Sequence, residues 1–129
     1  MDDLLDDFLI ATAESLPGAE AELAAWEADP LRRASLDAVF RAVHTIKGDC
    51  GFLRLHRLEA LTHAAEELLV GLRMGETRLT PAKAAGLLFQ VLDRVRETVG
   101  SLELLGVEPA GDDAGLIAAL APVRTESAL

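Results

Sequence analysis

The sequence is short of several things, and each shortage removes a class of function. It has a single cysteine, Cys50, so neither an internal disulfide nor a cysteine-rich zinc site can form. A lone thiol fits a reducing compartment, which makes the cytoplasm the expected location. Tyrosine is absent, and four Phe and one Trp are the only aromatics. That disfavours a β-sandwich or barrel and any base-stacking platform. Basic residues number 12 against 22 acidic ones, a net charge of -10. A nucleic acid or an anionic membrane needs a basic face, so neither is expected as a partner. No apolar run approaches the roughly 18–20 residues of a membrane span. The acidic opening MDDLLDDF has neither the basic start nor the apolar run of a secretory signal.

What is present is helical. The 129 residues are enough for one domain, and half are apolar, so a real core can be buried. Apolar residues recur at spacings of three and four, the helical period, with no alternating strand pattern. A first helix is expected over about Asp2 to Ala28, its acidic start suiting the N-terminal dipole end, with Leu5, Phe8, Leu9, Leu16, Leu23 and Trp26 buried. Pro17-Gly18 should kink or split it, and Asp29-Pro30 should end it. Ser35 is the expected N-cap of a second helix, with Leu36, Val39, Phe40, Val43 and Ile46 inward and Gly48 and Gly51 weakening its far end. After a link around Arg54–His56, a third helix carries Leu58, Leu61, Ala65, Leu68 and Leu72 and closes at Gly75. The fourth starts at Thr80-Pro81, carries Ala84, Leu88, Val91, Val95, Thr98 and Leu102, and ends at Gly106. Such narrow seams close an antiparallel up-down four-helix bundle. The bundle is expected over 1–105. Residues 106–129 read as a turn, a short fifth helix capped by Asp112-Asp113 and running through Leu120, and the start of a linker or tail that frays from Ala121.

His44 lies at the edge of the second helix's buried stripe, with Lys47 and Gly48 one turn on, on the same face. Gly48 leaves the surface beside the imidazole bare, so a large partner can approach the ring. By spacing alone, a helix-edge histidine beside a lysine and a fraying glycine end explains the pattern better than a reactive centre does. On the third helix, His63 and Glu66 face His44 if the two helices are antiparallel neighbours. A carboxylate on an imidazole N–H fixes the tautomer and makes the other ring nitrogen the better nucleophile. The plain alternative is a local surface pair. Other chemistries lack their residues. No Glu-x-x-His pair exists for a di-iron bundle, and His44, His63 and Glu66 lack the tight spacing of zinc ligands, so no metal site is expected. Neither a nucleotide-binding glycine motif nor a G-x-S-x-G elbow occurs. Cys50 reads as a small core residue.

The stretch FRAVHTIKGDCGFLRLHRLEALTHAAEELL resembles the histidine phosphotransfer domain, and more closely the N-terminal phosphotransfer module of CheA-type chemotaxis histidine kinases. The likeness rests on H-x-x-K-G at His44–Gly48 and T-H-x-x-E at Thr62–Glu66, and it covers about residues 3 to 105. The segment GVEPAGDDAGLIAAL also looks like the stretch that follows this module in longer kinases. The family usually carries a second glycine where Arg54 stands, and Pro17 is also unusual. The resemblance implies a phosphoryl carrier. His44 would take a phosphoryl group on Nε2 from the ATP-binding domain of a kinase, in cis or in trans. It would then pass the group to the aspartate of a response-regulator receiver. Glu66 would accept the His44 Nδ1 hydrogen, and Lys47 and His63 would complete the polar cluster. Arg41, Gly48, Gly51 and Arg54 would form the partner-facing surface. ATP and magnesium would belong to the kinase and the receiver, with no cofactor and no kinase activity in this chain, which would be monomeric. The competing class is a non-catalytic helical adaptor or dimerisation bundle. Between Arg41 and Arg57 stand four basic residues and only Asp49 as an acid, a local positive patch that would steer an acidic receiver pocket toward His44.

Overall fold

The computed structural model describes residues 3–121. Asp2 and the frayed tail expected beyond Ala121 therefore lie outside the described residues. Five helices follow one another: α1 (Asp3–Ala28), α2 (Arg33–Leu53), α3 (His56–Met74), α4 (Pro81–Leu105) and α5 (Ala114–Leu120). Neighbours in sequence pack side by side, and α1 also packs on α4, which closes the ring. Paired side chains give the direction. Asp37 meets Arg73 and Lys47 meets Glu66, so α3 numbers fall as α2 numbers rise, and the two helices are antiparallel.

The apolar stripes meet in one core. Leu23, Val39, Leu61, Ala65, Leu68, Ala84 and Val95 are fully shielded, and Leu16, Trp26, Val43, Ile46, Leu58, Leu88 and Leu102 nearly so. Cys50 belongs to this core, and burial pushes its thiol pKa up to about 12. Phe40 and Leu72 are only half-buried and sit at the core's edge. Thr80 caps α4, its Oγ1 accepting from the Lys83 N–H at 3.1 Å, and Pro81 takes the first helical position, where no donor is needed. Gly75 and Gly106 close α3 and α4 in the left-handed conformation.

Two local expectations need correction, a split of α1 at Pro17 and a cap at Ser35. Pro17 neither splits nor interrupts α1. Pro17 and Ala13, whose carbonyl the proline leaves without its helical donor, both lie on the exposed face, where water can take over. Ser35 is not a cap. Its N–H donates to the Arg32 carbonyl, the helix starts at Arg33, and Ser35 is buried in the first turn. The turn at Asp29, whose Oδ1 accepts from the Leu31 N–H at 3.2 Å, sets this earlier start.

The α2–α3 link is just Arg54 and Leu55. Arg54 sits at φ 60°, the only non-glycine positive φ among the described residues. Its N–H and that of Leu55 turn back to the Gly51 and Cys50 carbonyls and close the helix end. This is the position the resembled family fills with glycine, and the backbone supplies the reason.

The segment after α4 is built into the fold. Glu108 accepts the Arg57 and Leu58 N–H groups at 3.2 and 2.9 Å, capping the start of α3, which has no side-chain cap of its own. Arg57 Nε donates to Asp113 Oδ2 at 3.1 Å, and its Nη1 to the Pro109 carbonyl at 3.1 Å. Arg94 holds the other Asp113 oxygen. Asp113 therefore stands at the α5 N-cap position without capping it, its carboxylate being taken by two guanidinium groups. Leu120 is fully buried and seats α5 on α3 and α4.

Two outcomes are expected in thermal unfolding. Arg54→Gly should stabilise the chain by about 1 kcal/mol, because glycine enters this conformation without strain. Asp113→Ala should cost about 3 kcal/mol, since it removes the buried carboxylate that pairs with both Arg57 and Arg94.

Candidate functional site

The site lies on the face shared by α2 and α3, away from the core. Val43 and Ile46 anchor α2 inward, which turns His44 outward, its side chain 60% exposed. Lys47 follows one turn later, and Glu66 reaches across from α3. One Glu66 oxygen, Oε2, faces His44 Nδ1, and the other, Oε1, accepts from Lys47 Nζ. The Glu66 side chain is only 12% exposed, so these two neighbours are its solvation.

The carboxylate's state follows from competing effects. Burial raises its pKa, but the hydrogen bonds and charges of Lys47 and His44 outweigh that and hold it below the ordinary value. Glu66 is then an acceptor only, so Nδ1 of a neutral His44 must carry the ring proton. The lone pair is left on Nε2. The structure thus presents an exposed ring with one bare nitrogen and a cation on the same helix face.

The other expected site residues fall differently. His63 is not drawn into the cluster. Its Nε2 lies 3.6 Å from Glu67 Oε2, and the side chain is 58% exposed. Positions three apart on a helix diverge by about 60°, so with Glu66 turned inward His63 faces solvent. It shares a shallow depression with Lys47, His56, Glu59 and Ala60. At Gly48 an added Cβ would meet nothing within 4 Å, so the chain's own packing does not require a glycine there. At Gly51 it would come within 3.0 Å of Glu59 Oε2, the mobile end of a side chain. Arg41 and Arg54 are exposed and make no ion pair among the described residues. Arg57, counted in the positive patch, is instead consumed by Asp113 and the 109–110 carbonyls. Among the described residues, no three His, Cys, Asp or Glu side chains gather as a metal-ligating set, and no helix is long and apolar enough to cross a membrane.

Sequence reasoning missed one neighbourhood. The Phe40 ring stacks on His44, and Arg73 stands over Phe40. The i, i+4 spacing of Phe40 and His44 signals their contact, but nothing local signals Arg73.

A helical bundle presenting one exposed imidazole, locked by a carboxylate from the next helix, has the architecture of a histidine phosphotransfer module. The chain belongs to the Hpt domain family, whose profile residues 3–99 match. It is similar to the chemotaxis protein CheA of Treponema pallidum, at 33% identity over 100 residues, 78% of this chain and 12% of that protein. It is also similar to the sensor histidine kinase CheAY of Helicobacter pylori, at 40% over 84 residues, 63% of this chain and 10% of that one. The chain thus spans about an eighth of those relatives or less. Among solved structures it is similar to the phosphorylated P1 domain of CheA3 in complex with CheY6 from R. sphaeroides. The TM-score is 0.81 at 26% identity, covering 99% of this chain and 98% of that one.

The carboxylate also sets a pH dependence. Glu66 holds its proton less tightly when folded than when unfolded, so its contribution to stability is complete above the unfolded value. It is lost as pH falls below the ordinary 4.5 and through the lower folded value. Chemical denaturation across the acid range should show a shallower loss for Glu66→Gln than for wild type. The slope that remains belongs partly to Asp113, whose pKa is also lowered: burial raises it, and Arg57 and Arg94 more than reverse that.

Proposed function

We propose that this chain is the phosphoryl carrier of a chemotaxis-type phosphorelay, working in the cytoplasm, with His44 as the carrier residue. One observation carries this reading: His44 is exposed, and Glu66 takes its Nδ1, leaving Nε2 free. A purely structural bundle has no need of a buried carboxylate aimed at a surface imidazole.

In the forward step the Nε2 lone pair attacks the γ-phosphorus of ATP held by a kinase domain. The bond to the bridging oxygen breaks, and ADP leaves with that electron pair. No proton moves, because Nε2 carried none and the Nδ1 hydrogen stays on Nδ1, donated to Glu66. The ring gains a positive charge, which the Glu66 carboxylate stabilises, while Lys47 offers a cation to the phosphoryl oxygens. In the second step a receiver aspartate oxygen attacks phosphorus, the P–N bond breaks, and its electrons return to Nε2. Magnesium and nucleotide are supplied by the kinase and the receiver. The CheA relatives and the CheA3 P1–CheY6 structure support a receiver of the CheY kind as the acceptor. It would dock over α2 and α3 around Gly48, with Arg41 and Arg54, the unpaired guanidinium groups nearby, steering its acidic pocket.

Incubation with a CheA-type kinase domain and labelled ATP tests the reading. His44→Gln should abolish acid-labile, alkali-stable label with helicity intact, and full labelling of that variant would overturn the assignment. Glu66→Ala and Lys47→Ala should each slow transfer by about ten- to a hundredfold, the scale of losing one preorganised electrostatic partner in part-exposed surroundings. Receiver association should weaken with salt, mainly through the on-rate, because steering is screened beyond about 8 Å at physiological ionic strength. Salt-independent association would remove the steering claim.

A further inference from the structure

The phosphoacceptor ring has a second contact that the chemistry above does not use. The Phe40 and His44 rings are nearly parallel, 13° apart, with centroids 5.8 Å from each other. That is an offset stack within the preferred range for aromatic pairs. Phe40 is half-buried against the core, so its own position is constrained. The Arg73 guanidinium carbon stands 4.8 Å from the Phe40 centroid, over the ring. Arg73 is itself tied down: its Nε lies 3.1 Å from Asp37 Oδ1, and its carbonyl accepts from Arg33 Nη1 at 3.4 Å. The start of α2, the end of α3 and the His44 ring are therefore joined through Phe40.

One hydrogen bond cannot fix an exposed imidazole. The Nδ1 contact to Glu66 leaves the ring free to swing about the N–H···O axis, which sweeps Nε2 through an arc. A stacked neighbour removes that freedom by fixing the ring plane. We propose that Phe40 is a positioning residue for the His44 phosphoacceptor, held in place by the Asp37–Arg73 pair. Together, Glu66 chooses the nitrogen and Phe40 aims it. An aromatic pair of this kind favours one orientation by about two- to twelvefold.

The kinetic part of this proposal rests on His44 being the phosphoacceptor; the ring-orientation part does not. The test uses the full chain as wild type, Phe40→Leu, Phe40→Tyr and Arg73→Gln. Leucine keeps an apolar filler but removes the stack, tyrosine restores a ring, and Arg73 is exposed enough that its loss spares the core. Two readouts are taken: the His44 Nδ1 and Nε2 nitrogen shifts by NMR, and the rate of phosphorylation by phosphoramidate, which delivers its phosphoryl group to a histidine nitrogen and releases ammonia. In Phe40→Leu the ring shifts should move toward the averaged values of a mobile imidazole, and the rate should fall about two- to twelvefold. Phe40→Tyr should restore both, and Arg73→Gln should move both less far in the same direction. Wild-type shifts and rate in Phe40→Leu, or a tyrosine variant no better than leucine, would overturn the proposal. If Phe40→Leu does not fold, Arg73→Gln decides: unchanged shifts and rate there overturn it. Labelling of His44→Gln by the kinase domain and ATP would instead bring down the phosphoacceptor reading, while unmoved shifts in Phe40→Leu would bring down the stack alone.

Discussion

The Glu66 carboxylate is the constraint on which the rest of the site depends. It is a charge placed where little water reaches it, and such a charge is costly unless neighbours replace the lost solvation. Lys47 and His44 do so, one on each oxygen, and the lowered pKa records that they more than offset burial. Both partners come from α2, so the interaction is also a clamp between α2 and α3. It holds only at one axial register of the two helices. A shift of one residue along α3 would turn Glu66 about 100° away from the α2 face. Helix packing and histidine chemistry are therefore the same problem in this molecule.

That register is set at the end of the bundle beyond the site. The two-residue turn at Arg54 and Leu55 reverses the chain so abruptly that α2 and α3 cannot slide independently. Arg54 accepts a left-handed conformation to make this turn. Glu108 then caps the start of α3 from the far side of the sequence, and Asp113 gathers Arg57 and Arg94 into a buried salt bridge. The segment after α4 thus holds the first turn of α3 in place, two and a half turns before Glu66. A boundary drawn at residue 105 would cut through this support. The stretch up to Leu120 belongs physically to the bundle it follows.

How much of this was legible in the sequence depends on the distance between partners. Local features read correctly because a helix writes its rules within four residues. The stripes from Leu58 to Leu68 and from Ala84 to Leu102, the Thr80-Pro81 start and the Gly75 and Gly106 ends are of this kind. Pro17 misled because its effect depends on which face it occupies, and on the exposed face water takes the freed carbonyl. Ser35 misled because an N-cap preference is a tendency that the preceding Asp29 turn overrode. The positive patch misread Arg57 because its partner Asp113 is far away in the chain, and no periodicity announces such a pair. Motif spacing singled out His44, Lys47 and Glu66, and the structure brings these three side chains into contact. His63 shares that spacing yet turns to Glu67, because spacing alone does not say which of two helix faces looks inward.

A carrier imposes a requirement that an ordinary enzyme does not. Two partners of different shape must reach the same atom in turn, so the reacting group has to stand out from the surface instead of lying in a cleft. Exposure, however, normally gives up orientation, since a solvated side chain samples several rotamers. The structure separates the two demands. The Nε2 side of the ring is left open, and the surface one turn on is bare backbone at Gly48, where even a Cβ would find no neighbour. The Nδ1 side carries the order, through a carboxylate rooted in the neighbouring helix and an aromatic ring rooted in its own. In the proposed carrier role, loading and unloading the phosphoryl group need no acid or base from this chain, because the proton on Nδ1 stays put. The bundle's contribution is to keep one nitrogen bare, aimed and accessible, and everything from the Arg54 turn to the Asp113 staple serves the placement of the helix that does so.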